Sequence, residues 1–402
     1  MRHIIIGGGM TGTVAAEELR KLLPDAEITL VSEEHYPVYS RVLLPHYVKG
    51  KVSRERCFLK KETWYIDHRI EWLPGMRVTA MDARNKWIAL SDGRKLSYDK
   101  LLLAIGGEVR PLPEDPRGIS YFRTLDDADH LLQLARELPA GARAAIYGGG
   151  FIACEYVNIF AHFGIPTTVV FRGNHFFSRT LDAASGALIT KKLQSDGKEI
   201  IANAALMGFE SGSSLTALLT DKKIIPCNLL GIGIGIEPDL AWLRDAGMKV
   251  GSGVRTNEYL ETSIPDVYAA GDGAEFFDVI VRRRMMVGNW MSAVAQGRIV
   301  AKNMAGERMA FKLVSSYATN VLGLELIFIG DTKREAADRI IVRGSESEEG
   351  ITQLFLRGGR LVGATLVNRN ADRAWITHAI QGGKMLHDLD HDLETIDKSE
   401  KT

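Results

Sequence analysis

The sequence predicts an α/β protein built from two Rossmann-like, three-layer dinucleotide-binding domains and a smaller α+β domain at the C-terminal end. Three observations predict it. An apolar strand runs into Gly7, Gly9 and Gly12 in G-x-G-x-x-G register, and about 140 residues later a second runs into Gly148, Gly150 and Ala153 in G-x-G-x-x-A register. A third short apolar run ends at Gly271-Asp272-Gly273, where no local role explains an aspartate. At 402 residues the chain is long for one hydrophobic core, and two or three domains fit it.

The opening strand, residues 3–6, leads into the first turn. A first glycine permits the sharp turn, and a second lets backbone approach a pyrophosphate with no Cβ in the way. A third small residue lets the helix pack close to the sheet. The pyrophosphate then lies on the helix N-terminus, where unpaired N–H groups and the dipole favour negative charge. A single turn of this kind also occurs as a plain strand-to-helix connection, but two imply a flavin and a nicotinamide cofactor. Gly7, Gly9, Met10, Thr11 and Gly12 fall on the first site, and Gly148, Gly150, Phe151 and Ile152 on the second. The helix at residues 13–23 stops at Pro24. The next strand, residues 26–31, ends at Ser32-Glu33-Glu34, with Glu33 21 residues after Gly12, where an acidic side chain meets the ribose hydroxyls.

Strands follow at residues 77–81, 87–90 and 100–104, separated by turns such as Ser91-Asp92-Gly93-Arg94. Pro111 and Pro113 mark a linker. The second Rossmann unit is expected over residues 123–235, with a helix at 126–138 and strands at 142–147 and 167–171. The last segment has strand-like runs at 324–329, 350–356 and 360–366 and a helix at 371–381. These patterns divide the chain into a discontinuous flavin domain (1–112 and 246–310), a nicotinamide domain (113–245), a C-terminal interface or partner domain (311–390) and a charged, flexible tail (391–402).

Composition narrows the function classes. Fifty basic and fifty acidic residues leave no net charge to steer the protein globally towards nucleic acid. Cys57, Cys154 and Cys227 are odd in number and far apart, which argues against a disulfide framework and against a cysteine-rich metal site; Cys154 reads as a core thiol. The longest apolar stretch, residues 224–236, is too short and too broken to span a bilayer, and no export leader precedes the first strand. A cytoplasmic enzyme, monomeric or homodimeric, is expected.

The stretch Thr262-Ser263-Ile264-Pro265-Asp266-Val267-Tyr268-Ala269-Ala270-Gly271-Asp272 has the form T-x-x-P-x-[VI]-Y-A-x-G-D. With it the whole chain resembles the pyridine-nucleotide disulfide oxidoreductase-like flavoproteins. Residues 101–107 (LLLAIGG) and 231–238 (GIGIGIEP) are similar to that family's two crossovers between domains. The resemblance implies FAD, held in part by Gly271 and Asp272 on the ribityl and pyrophosphate side. It adds Val78, Ala104, Gly106 and Gly233 as cofactor contacts.

Family members that reduce disulfides carry a cysteine pair on the segment after the ribose acid, and their oxidase and peroxidase relatives carry one cysteine. Here Val42 stands at that position. Valine forms no sulfenate or mixed disulfide. The segment Tyr39-Ser40-Arg41-Val42-Leu43-Leu44 instead resembles the Y-x-[RK]-x-x-L of rubredoxin reductases, ferredoxin reductases and the flavoprotein portion of nitrite reductases. The implied partner is a small electron-carrier protein or a metal-centre subunit. Arg41 is expected at the flavin phosphates.

In this branch a glutamate matching Glu155 lies beside the nicotinamide and flavin rings and pairs with a lysine at the position of His46. A His46/Glu155 pair would close the nicotinamide pocket and titrate near neutral pH. The alternative is that Glu155 only complements the helix dipole. Residues 289–297 resemble the W-x-x-A-x-x-Q-G helix whose N-terminus faces the flavin, with Trp290 either at the cofactor or in the core. Phe171 occupies the place where NADH-selective relatives carry an acid, and Arg172 follows it, so NADPH is slightly favoured over NADH. The run Arg282-Arg283-Arg284 reads either as a solvated hairpin tip or as a docking point for an acidic carrier. Against the carrier-reductase reading stand an oxidase or diaphorase acting on oxygen or quinones, and a slow flavoprotein serving as a redox sensor or assembly partner.

Overall fold

A computed structural model describes residues 1–388 and divides the chain into two compact units. The expected tail at 391–402 lies outside the described residues.

The first unit comprises residues 1–47, 52–108 and 236–313. Its centre is a five-stranded parallel sheet in the order Val267–Ala269, Lys100–Leu103, Arg2–Ile6, Glu27–Val31, Ile70–Leu73. Ile5 of the central strand stands opposite Leu30 on one side and Leu102 on the other. Parallel strands covered on both faces read as continuous apolar runs, and Ile4, Ile6, Leu101, Leu103, Val267 and Ala269 form one core with Val31. The edge strand Val267–Ala269 pairs with Lys100–Leu103, which returns the late Gly271-Asp272 turn to the first glycine turn. The helices Met10–Leu22 and Trp290–Met304 touch closely because Gly297 has no side chain: a Cβ there would stand 2.7 Å from the Thr11 carbonyl oxygen.

Among the described residues, the second unit comprises 48–51, 109–235 and 314–388. Its parallel sheet runs Glu199–Ile201, Thr167–Val170, Ala144–Tyr147, Leu229–Ile232, Ile119–Ser120. The helix Leu125–Glu137 starts at a capping box in which the Thr124 hydroxyl accepts from the Asp127 N–H at 3.1 Å and the Asp127 carboxylate accepts from the Thr124 N–H at 2.8 Å. The helix Phe151–His162 follows the second glycine turn. A five-stranded antiparallel sheet, in the order Ser316–Val321, Leu324–Gly330, Arg360–Val367, Gly350–Arg357, Arg339–Ser345, carries the helix Arg373–Gly382, which ends at Gly383 with φ 65°.

The structure departs from the sequence expectations in detail. Ile119–Ser120 joins the second parallel sheet, inside the expected nicotinamide domain but ahead of the Rossmann pattern read from residue 123; two paired residues give too short a pattern to read. Residues 206–226 form three antiparallel strands, Leu206–Ser211, Leu215–Thr220 and Ile224–Pro226, whose register is broken by irregularities near Gly208 and Ser211. The four residues 48–51 leave the first unit to cluster with the second.

Candidate dinucleotide sites

The first site is built on three glycines with separate tasks. Gly7 adopts φ 115°, and a Cβ there would fall on the Ala104 carbonyl; a Cβ at Gly12 would fall on the Gly7 carbonyl. Gly9 faces open space, the nearest atom to its absent Cβ being Arg41 Nη1 at 3.9 Å. The helix Met10–Leu22 begins at Gly9 with no side-chain cap and no acid in its first turn, so its N-terminus retains its attraction for an anion.

Arg41 completes this cradle. Glu34 accepts hydrogen bonds from Arg41 Nη2 and from the Tyr39 hydroxyl, and the guanidinium lies over the Tyr39 ring at 5.0 Å from its centre. Burial disfavours the Arg41 charge, but Tyr39, Glu34 and Asp272 outweigh it and hold the group above its ordinary value. Arg41 Nε is buried with no hydrogen-bond partner. An orphaned guanidinium N–H beside an open glycine and an uncapped helix end fits a pyrophosphate.

The late turn closes the site from the other side. Gly271 has φ 85°, and a Cβ on it would stand 2.6 Å from Thr11 Oγ1. Its N–H donates to Gln296 Oε1 at 2.8 Å, and Gln296 Nε2 donates to Ser292 Oγ at 2.9 Å. Asn289 caps the helix Trp290–Met304 by accepting from the Ser292 N–H at 2.9 Å, so Trp290, half-buried, is the first helical residue. A Cβ at Gly288 would stand 3.4 Å from the Asp272 carboxyl carbon, and one at Gly273 2.7 Å from the Gly106 carbonyl. Thr11, Gly106, Asp272 and the start of this helix are thereby brought together.

Two expected contacts sit less directly. Glu33 is exposed and paired with Arg77 at 2.7 Å, while its neighbour Glu34 turns in to Arg41. Val78 is buried in the strand Val78–Asp82, opposite Leu90. Arg284 donates to the Thr256 and Glu275 carbonyls at 2.7 and 3.2 Å, so this member of the arginine run braces the hairpin.

The second site repeats the first. A Cβ at Gly148 would fall on the Gly233 carbonyl, and Gly233 in turn would carry its Cβ 3.2 Å from the Ala153 nitrogen. Gly150 is open, with only the edge of Phe177 at 4.0 Å, and the helix Phe151–His162 has no side-chain cap. Ile152 is half-buried in its first turn. Phe171 is buried, its Cβ 3.1 Å from where Gly149 would carry one and its ring 5.0 Å from Phe176; Arg172 after it is exposed.

Glu155, one turn beyond Phe151, has its carboxyl pushed above the usual range by burial, against which the Lys49 charge acts. Burial likewise lowers Lys49, and Glu155 opposes that shift. His46 is exposed and lies in the first unit. Lys49 was missed from the sequence; its only signal is a place three residues beyond the expected position.

Val42 is 59% exposed, whereas Cys57, Cys154 and Cys227 are all buried. Burial, then the nearby Glu155 charge, drives the Cys154 thiol far above its ordinary value, and burial pushes Cys227 up to about 12. No group of three or more histidine, cysteine, aspartate and glutamate side chains able to hold a metal occurs among the described residues, and none of their helices is long and apolar enough to cross a membrane.

Two parallel sheets, each with a carbonyl-backed glycine turn opening an uncapped helix, define a protein of two dinucleotide sites. The pyridine nucleotide-disulphide oxidoreductase profile matches residues 1–297, and the chain belongs to that family. It is 29% identical over 381 residues to putidaredoxin reductase of Pseudomonas putida, covering 91% of this chain and 88% of the relative. It is 27% identical over 387 residues to nitrite reductase [NAD(P)H] of Bacillus subtilis, covering 92% of this chain but only 46% of the relative, so it spans about half of that protein. The crystal structure of a covalent putidaredoxin reductase–putidaredoxin complex superposes with a TM-score of 0.88 at 27% identity, over 95% of this chain and 93% of that one. The chain is thus an NAD(P)H oxidoreductase, and its family implies FAD with a nicotinamide nucleotide.

Proposed function

We propose that this protein passes electrons from NADH or NADPH, with NADPH slightly favoured, through FAD to a separate redox protein: a ferredoxin, a rubredoxin or a nitrite-reductase-type metal subunit. One observation carries the reading. The three cysteines are buried, so the chain offers no accessible thiol to receive electrons and an outside acceptor must; the sequence resemblance, which puts Val42 at the redox-thiol position, points the same way. The likeness to putidaredoxin reductase supports the same reading.

FAD, when bound, accepts a hydride from the nicotinamide and releases electrons to the acceptor. The chain's own residues bind and orient. Gly9, Met10 and Thr11 offer open backbone at the helix end, Arg41 its unbonded Nε–H, and Asp272 an acceptor for hydroxyl groups. Gly150, Phe151 and Ile152 do the same for the nicotinamide nucleotide, with Glu155 and Lys49 near enough for each to act on the other's charge. Phe171 puts no acid near a ribose phosphate, and the exposed Arg172 supports tolerance of NADPH.

The test is anaerobic stopped-flow mixing of the FAD-loaded protein with NADH and NADPH in parallel, followed by carrier and then oxygen. Fast flavin bleaching, fast carrier reduction and slow oxygen consumption are expected. Absence of bleaching by either nucleotide sinks the reductase reading, and oxygen consumption faster than carrier reduction turns it into an oxidase.

A further inference from the structure

The helix that opens at Gly150 is fastened along one face to the C-terminal antiparallel sheet. Phe151, Glu155 and Asn158 lie at helical spacing on that face. At its start, the Phe151 ring meets Tyr317 edge-on at 4.5 Å between centroids and 85° between planes, and Phe328 at 4.9 Å and 73°. Two turns on, Asn158 Nδ2 donates to the Asn320 carbonyl and Asn158 Oδ1 accepts from the Leu322 N–H, both at 2.8 Å. Tyr317 and Asn320 belong to the strand Ser316–Val321, and Leu322, with φ 52°, turns the chain into the next strand.

The fourth ring of the cluster ties it to the glycine turn itself. Phe177 packs on Phe151 at 4.8 Å and on Phe328 at 5.0 Å. Its N–H donates to the Gly149 carbonyl at 2.8 Å, and its ring edge is the nearest atom to the open side of Gly150. Phe177 holds φ 51°, a left-handed conformation that costs a bulky side chain energy and persists only where the surroundings over-determine it. Here the surroundings are the sheet residue Phe328 on one side and Gly149 on the other.

We propose that Tyr317 is a positioning residue for the nicotinamide nucleotide: its ring, on the C-terminal sheet, meets Phe151 in a T-shaped contact and fixes it, and with it the helix end at Gly150. This rests on the reading that the second glycine turn takes NAD(P)H. The interaction is one of ring edge against ring face, so it needs the aromatic ring and not the hydroxyl.

The test uses FAD-loaded wild type, Tyr317→Leu, Tyr317→Phe and Asn158→Ala. Calorimetry with NAD⁺ and NADP⁺ measures affinity without turnover, and anaerobic flavin reduction over a range of NADH and NADPH separates apparent affinity from limiting rate. Tyr317→Leu is expected to weaken nucleotide binding about threefold to tenfold, the range of an aromatic edge contact. The limiting rate and FAD content should stay near wild type, and Tyr317→Phe should restore affinity. Asn158→Ala, which loosens the same helix from the same strand without touching a ring, should weaken nucleotide binding in the same direction. Unchanged affinity in Tyr317→Leu overturns the proposal, as does a Tyr317→Phe variant as weak as Tyr317→Leu. Failure of the wild type to bind or oxidise either nucleotide overturns instead the reading on which it rests.

Discussion

Glu34 holds Arg41 beside the first glycine turn, while the adjacent Glu33 faces outward to Arg77. The inward carboxylate fixes the guanidinium through Nη2 and leaves Nε buried and unbonded. Arg41→Ala is therefore expected to weaken FAD binding by about 1.5–3 kcal/mol, the value of a hydrogen bond to a charged group. Arg41→Lys, which cannot be held in the same fork, should recover only part of it. Fluorescence titration of the deflavinated variants with FAD measures both, and an unchanged affinity in Arg41→Ala would remove Arg41 from the site.

The glycines of each turn divide into packed and open positions, and substitution should separate them. Gly148→Ala forces a Cβ onto the Gly233 carbonyl and should cost about 1–3 kcal/mol of stability. Gly150→Ala meets almost nothing in the protein and should leave the unfolding midpoint near that of the wild type while weakening nucleotide binding. Paired denaturation and NADP⁺ titrations distinguish them; equal stability loss in both would contradict the division.

His3 lies in the central strand, fully buried. Burial first, then the Lys100 and N-terminal charges, lowers its pKa from 6.5, with the Met304 carbonyl and then Asp99 opposing. The folded state thus binds fewer protons than the unfolded one between the lowered value and 6.5, so stability is complete above 6.5 and falls as the pH drops through it. His3→Leu should flatten this dependence. Unfolding midpoints at pH 7.5 and pH 5.5 test it, and an equal drop in the variant assigns the effect elsewhere.

Lys49 acts on Glu155 by lowering a carboxyl that burial has raised. Lys49→Met keeps the apolar stem and removes the charge, so the Glu155 pKa should rise further and the limb it contributes to the pH profile of flavin reduction should move to higher pH. Glu155→Gln should abolish that limb. A profile unmoved by Lys49→Met would leave the pairing to His46.

The three cysteines are buried, and two have thiols held well above their ordinary pKa. A thiol reagent should find almost none in the native protein and three after denaturation. Activity should survive the native treatment; rapid inactivation would reopen a role for sulfur.

What was legible in the sequence follows from the range of the forces involved. Gly7, Gly12 and Gly148 are demanded by backbone contacts close in space to a strand end, and glycine spacing records that demand. The place of Asp272 beside the first turn was legible because a whole motif surrounds it. Glu34 and Lys49 were not, because which of two adjacent acids turns inward, and which nearby cation meets Glu155, depends on side-chain packing. Tyr317 was hidden for a further reason: its partner, Phe151, lies more than 160 residues away, and no periodicity marks a ring that meets another across a sheet and a helix.

The edge strand Val267–Ala269 sets an order of events during synthesis. The first glycine turn is made more than 250 residues ahead of Gly271, Asp272 and Gln296, which close the site around it and come after the whole second parallel sheet. The second sheet can therefore form while the first still lacks an edge. The first site, opened before the second, therefore stays incomplete until the helix Trp290–Met304 has been made.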